Sequence, residues 1–387
     1  MERQTELDWL RGLMLVLMTM THLPTWFSAH AGQPFGFVSA AEGFVFLSAF
    51  LVGSVYAHKA RTRGYAVMRR ALWGRALKVY LAHIGLLLFL LLVLVPIAVS
   101  HNAQAITGLA SYYLERPHLA LVSGLILAYN PPLLDILPMY VLFLALSPLA
   151  LRLGTQRGWA LLLALSAVLW LFAQYDGGLH VYKSLAALVG WPVPYGATGA
   201  FSFMAWQLLW LVGLRLGAVN GVADLPRSPI GDRRWPGFGM LAAMSVAAVF
   251  FTWRHVVGQA PFGSDAMLNA LFDKWHLGPL RLLNFAVLAL IVVHVRPVLV
   301  EWAAHSSIAT LGRASLTVFS AHLLICLALL TIIGEAARPH LSVFETLLLL
   351  GTLAALYGVA QATLAAPRVV RAGSRALAAR LSARGAR

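Results

Sequence analysis

The chain has 387 residues, of which 60% are hydrophobic and only 11% charged. Soluble domains are nearer half apolar and a quarter charged. The composition therefore excludes an ordinary soluble enzyme and a disordered chain, and points to an all-α, polytopic membrane protein. The net charge of +15 would raise the question of nucleic acid in a soluble protein. In a membrane protein it is first a sidedness signal, so no nucleic-acid partner is expected. The single cysteine, Cys326, lies in an apolar run. No intramolecular disulfide and no metal site are expected.

About ten hydrophobic stretches approach the length that crosses a bilayer. They run over 8–27, 38–57, 79–99, 133–151, 158–175, 199–219, 238–256, 279–295, 314–334 and 342–365. The segment 117–130 is too short to span comfortably, and Pro131-Pro132 marks its end. It reads as a re-entrant or interfacial helix. One membrane domain over 1–366 is expected, followed by a basic tail over 367–387. That tail reads as a surface helix or a disordered end near the membrane lipids.

Placing the N-terminus inside gathers most Lys and Arg residues on one side. Only Arg116, Lys183, Arg254, Lys274, Arg281 and Arg338 fall on the other. The bias predicts that both termini are cytoplasmic. Ala29-His30-Ala31 fits a signal-peptidase site, but Glu2, Glu6 and Asp8 lead the first apolar run, and His22 and Pro24 interrupt it. Retention of this segment as a helix is expected.

The first helix carries the most informative pattern. Asp8, Arg11, Leu15, Met18 and His22 recur every three or four residues and share one face. Arg11 and His22 are roughly 16 Å apart along the axis. Ionisable groups inside a bilayer usually face a cavity or a partner. Asp8 and Arg11 also fit a simple ion pair at the headgroups, and His22 also fits a satisfied core histidine. Thr21, His22, Pro24 and His30 form a polar cluster at the outer end. Glu42 lies about one turn into the second helix on that side, where a carboxylate orients a histidine. The neighbouring Ala40, Ala41, Gly43, Ser48, Ala49 and Gly53 allow close helix packing.

The inner loop 58–78 contains Lys59, Arg61, Arg63, Arg69, Arg70, Arg75 and Lys78. It reads as a positive-inside loop or, with Arg11, as a clamp for phosphates. Asp135 stands near the start of the fourth span. Asp176, His180 and Tyr182 occupy an outer loop with Trp191 and Trp206 nearby, a composition that fits a sugar face or an aromatic belt. Asp273, Lys274, Trp275, His276 and Arg281 cluster at the mouth of the eighth span, as a paired mouth or a substrate subsite. In the ninth span, Arg313 precedes a Ser-rich helix start that suits an anion. The spacing turns Arg313 and His322 to opposite sides and puts Ser315 and His322 on one face.

Asp8-Trp9-Leu10-Arg11-Gly12 followed by Thr21-His22-Leu23-Pro24 resembles the opening of the OpgC family. So do Gly36-Phe37, Ala40-Ala41-Glu42 and Phe44-Val45-Phe46-Leu47-Ser48. Asp273-Lys274 with Leu277-Gly278-Pro279-Leu280-Arg281, and Leu311-Gly312-Arg313-Ala314-Ser315 with His322, fit as well. The motifs are short, and their order over most of the chain carries the resemblance. It implies a bacterial inner-membrane protein of ten or so helices that adds succinyl groups to osmoregulated periplasmic glucans. Acyltransferase 3 proteins and the lysosomal heparan-glucosaminide acetyltransferase are similar at a greater distance. They move an acyl group from cytosolic acyl-CoA to an extracytoplasmic sugar.

On that resemblance His22 is the catalytic candidate and Arg11 the acyl-CoA contact, with Glu42, Arg313 and His322 at family positions. The expected function is then O-acyl transfer from succinyl-CoA or acetyl-CoA to a glucan hydroxyl, without a metal. His22 and Glu42 would do the chemistry. Arg11, Arg69, Arg70, Arg75, Lys78 and Arg313 would hold the donor. Asp8, His30, Asp135, Asp273, Arg281 and His322 would contact substrate, with Arg281 meeting a succinyl charge. A proton- or anion-coupled transporter or flippase is the alternative, because intramembrane His, Asp and Arg also build ion paths. A structural partner in a glucan synthase complex is the third reading. Homo-oligomers are left open.

Overall fold

The computed structural model describes residues 4–220, 237–258, 261–304, 306–334 and 341–385, which are helical with no strand among them. Arg3, Arg227, Arg233, Arg234 and Arg338 lie outside the described residues. Twelve helices matter below: α1 (Thr5–His22), α2 (Ala40–Arg63), α3 (Tyr65–Ser100), α4 (Ile136–Gln156), α5 (Trp159–Ala173), α6 (Gly177–Val189), α7 (Phe203–Asn220), α8 (Phe238–Val256), α9 (Pro279–Ala304), α10 (Ser307–Arg313), α11 (Ser315–Ile333) and α12 (Val343–Gly385). Eight of them are long and apolar enough to cross a membrane, or nine if the bent pair α5–α6 counts as one span. The protein is therefore multi-pass. α1 is not among the eight, because Glu6, Asp8 and Arg11 crowd its first turns.

Local chemistry sets several element ends. Ser39 opens α2 with a capping box: its N–H and its hydroxyl both reach Glu42 Oε2, at 3.0 and 2.6 Å. Gly64, at φ +84°, breaks α2 from α3. The expected loop 58–78 is thus two helix ends joined at one residue, since nothing else in the stretch interrupts helical hydrogen bonding. Near its far end α3 loosens into a π-turn over Leu90–Leu94, beside Pro96, which has no N–H to give. The segment 117–130 contributes only the short helix Pro117–Leu125. α5 and α6 meet at 82°, at Asp176 in the left-handed region. The tail beyond 366 continues α12 to Gly385.

Two close crossings organise the bundle. α2 meets α7 where Gly53 faces the Leu214 carbonyl and Gly217 faces the Phe50 carbonyl. α1 meets α10 where Gly12 faces the Ile308 carbonyl and Gly312 faces the Asp8 carbonyl. Small residues let these backbones touch, which is how helices associate when lipid is as apolar as leucine. Polar pairs fasten other contacts. Ser166 Oγ donates to Gln207 Oε1 at 2.7 Å between α5 and α7, and Trp210 Nε1 donates to Ser147 Oγ at 3.0 Å between α7 and α4.

The α1–α10 crossing also brings Arg11 to Ser315, so it has a measurable consequence. Gly312→Ala or Gly12→Ala drives a methyl into a backbone carbonyl and should cost about 1–3 kcal/mol, as overpacking does. Gly85→Ala, at an exposed position with nothing nearby, should be tolerated. Thermal unfolding in detergent compares the three. Equal melting temperatures would show that the helices part freely there.

Candidate active site

The site has two ends along α1. At its Thr5 end the buried Arg11 sits beside Asp8, with Nη1 and Oδ1 3.9 Å apart, and its guanidinium donates to Ser315 Oγ. Nearby, Arg296 Nη2 donates to Glu6 Oε1 at 2.8 Å and to Gln4 Oε1 at 3.0 Å. α10 ends at Arg313 and α11 starts at Ser315, so a helix break at Ala314 separates them. Arg313, Ser315 and Arg11 consequently face one cavity of about 650 Å³, together with Arg75, Lys78, Tyr56 and Tyr140. The two tyrosine hydroxyls stand in hydrogen-bond reach of Arg75. The volume lies in the range of small-molecule sites.

The same cavity is lined by Phe44 and Phe319, whose rings stack with centroids 5.9 Å apart. Beyond Phe319 lies the second end. His322 is fully buried on α11, and its ring meets that of Phe319 edge-on at 4.9 Å. His322 Nδ1 is 2.7 Å from the Phe319 carbonyl oxygen. His322 Nε2 is 3.1 Å from His22 Nδ1, and the two imidazoles stack 15° from parallel.

This chain of contacts assigns the protons. A carbonyl oxygen only accepts, so His322 Nδ1 carries a hydrogen. In the neutral ring Nε2 then holds a lone pair, and His22 Nδ1 donates to it. The basic lone pair is left on His22 Nε2, on a half-buried ring. A histidine held in one tautomer, with its other nitrogen available, is arranged for general-base work.

The other expected site residues sort by these contacts. Glu42 does not supply the hydrogen-bond partner of His22. Its Oε1 accepts from Arg281 Nε and its Oε2 from Ser39, so the histidine orienter is His322. Arg281 is 1% exposed and its Nε donates to Glu42, so its first partner is a carboxylate of the protein itself. Arg69 and Arg70 are exposed and outside the cavity. They stand five or six residues from Arg75, on another side of α3, and Arg69 lies over Trp73 at 5.0 Å. Asp8 stays with Arg11, at the far end from His22. His30 is exposed, stacked on Trp26 at 3.7 Å, and bonded to the Trp26 carbonyl. Asp135 Oδ2 accepts from Ala200 N at 3.0 Å, tying the start of α4 to the loop before α7.

Asp273 closes a tight loop. It accepts from Trp275 N, His276 N and the His276 ring, at 3.0, 3.1 and 2.5 Å. Burial alone would push the Asp273 carboxyl up, but these donors hold it below its ordinary value, and the same carboxylate raises His276. Among the described residues no group of three His, Cys, Asp or Glu side chains is placed to hold a metal.

A family model described as OpgC protein matches residues 3–366. The chain belongs to the OpgC family. No curated protein and no solved structure matches it. The motifs of this OpgC-family chain that lie far apart in sequence meet in the fold: the opening stretch around Arg11 and His22 packs against the stretch from Leu311 to His322. Two contributors escaped the sequence reading, Tyr56 and Tyr140, which look like ordinary interfacial aromatics. Only the cavity shows what they face.

Proposed function

We propose that this protein is a membrane O-acyltransferase that moves an acyl group, succinyl or acetyl, from cytosolic acyl-CoA to a hydroxyl of a periplasmic glucan. One observation carries the reading. The relay from Phe319 through His322 leaves a base on His22 Nε2, and Phe319, where the relay starts, also lines the cavity that gathers Arg11, Arg75, Lys78 and Arg313. Guanidinium forks and an ammonium suit the phosphates of a nucleotide-borne thioester. The sidedness of the basic residues fits donor entry from the cytosol, through the bacterial inner membrane.

In this reading the cationic end binds the donor and the acyl thioester lies towards Phe44 and Phe319. His22 Nε2 takes the proton of the sugar hydroxyl as that oxygen bonds to the thioester carbon. The C–S bond breaks, and the leaving thiolate takes the proton back. General-base help contributes roughly 10²- to 10⁴-fold, and holding both reactants at one point supplies much of the rest.

The test uses purified full-length protein in sealed vesicles, with labelled acyl-CoA on one side and glucan on the other. Release of free CoA with label appearing on the glucan is expected. Arg75→Gln and Arg313→Gln should raise the KM for acyl-CoA about tenfold or more each, as loss of a charged hydrogen bond does. Movement of an anion across the membrane, with no thioester consumed, would replace the enzyme by a transporter.

A further inference from the structure

Lys274 is a charge on the His22 side that the reading above leaves without a task. It sits in the loop joining the short helix Ala266–Phe272 to α9. That loop is pinned from both sides. Asp273 holds it from within, as described. From outside, Ser202 N and Trp206 Nε1 donate to the Trp275 carbonyl at 3.0 and 3.1 Å. Gln174 Nε2 donates to the His276 carbonyl at 2.7 Å, and Trp170 Nε1 to the Leu277 carbonyl at 3.0 Å. Donors from α5, from the α5–α6 link and from α7 thus fix the backbone that carries Lys274.

The side chain rests on aromatic faces, with Nζ 4.7 Å from the centre of Trp275 and 5.8 Å from that of Phe201. It is close enough for its charge to act on His22, and for the charges of Glu42, Arg281 and Asp135 to act on it. Yet no described carboxylate forms an ion pair with it. Glu42 is committed to Arg281 and Ser39, and Asp135 to Ala200. Burial, with Arg281 adding to it, lowers the ammonium below its ordinary value despite the two carboxylates. A partly desolvated cation on a rigid loop, near enough for its charge to be felt at His22 and with no carboxylate of its own, is short of an anion.

We infer that Lys274 binds an oxygen anion of the acyl group delivered to His22. The inference rests on the acyl-transfer reading and names the chemistry of its substrate end. The anion has two sources. One is a free carboxylate on the acyl chain of a dicarboxylic half-thioester. The other is the acyl oxygen itself. When the hydroxyl oxygen bonds to the thioester carbon, the carbonyl electron pair moves onto oxygen, and it returns as the C–S bond breaks. Fixed cations aimed at such an oxyanion lower the barrier.

The experiment measures transfer by full-length Lys274→Gln and Lys274→Arg with a neutral donor, acetyl-CoA, and an acidic donor, succinyl-CoA. A fall of about tenfold to a hundredfold in Lys274→Gln is expected, with Lys274→Arg restoring most of it. If kcat falls with both donors, the anion is the acyl oxygen. If KM rises for the acidic donor alone, it is the chain carboxylate. Lys274→Met keeps the apolar stem over Trp275 and Phe201. A merely structural role would therefore spare it and would not separate the two donors. Wild-type rates in an active preparation of Lys274→Gln overturn the inference alone. Absence of transfer by the unsubstituted protein with either donor sinks the acyl-transfer reading and this inference together.

Discussion

His22→Ala should leave the protein folded and lower acyl transfer by roughly 10²- to 10⁴-fold. The side chain is half-buried and ends α1, so its loss opens little core. His322→Ala should lower transfer by a smaller factor, about tenfold to a hundredfold, because it acts through His22. Without His322 Nε2, the His22 ring loses the contact that sets its tautomer and its plane. The double variant should be no slower than His22→Ala, since residues that act as one unit are not additive. Initial rates of CoA release check all three. Additive losses would mean that His322 touches substrate by itself, and an active His22→Ala would remove the base from the mechanism.

Glu42 and Arg281 should behave as a structural pair. Both side chains are fully buried, and they join α2 to α9. Glu42→Leu or Arg281→Leu leaves one uncompensated charge inside the bundle, which costs roughly 3–5 kcal/mol. Glu42→Leu also removes the capping-box contact with Ser39. Replacing both residues by Leu should recover much of the loss, because two buried charges disappear together. Melting temperatures in one detergent decide the matter. A Glu42→Leu protein that melts like the wild type but transfers no acyl group would return the carboxylate to the chemistry.

Much of the site's raw material was legible from spacing. The three- and four-residue steps from Asp8 to His22 put a cation and an imidazole on one face of α1, and the structure keeps them there. The basic bias gathers Arg11, Arg75, Lys78, Arg296 and Arg313 at one end of the bundle and leaves Lys274 and Arg281 at the other. Local rules sufficed because helical periodicity depends only on neighbours along the chain. The same rules did not show the break at Ala314, which ends α10 at Arg313 and starts α11 at Ser315; Arg313 lines the cavity and His322 does not.

Partnership was not legible. Glu42 stood close to His22 in sequence and went to Arg281, while His22 found His322. Arg69 and Arg70 carried the same charge as Arg75 but lay on another side of one helix. Composition and periodicity by themselves determined that this chain is a helical membrane protein with ionisable groups along its first helix. Which of those groups meet was decided only in the tertiary structure. Glycine-lined crossings such as Gly12 on α10 and Gly53 on α7 set how near two distant helices come, and a hydrogen bond exists only within that last ångström or so.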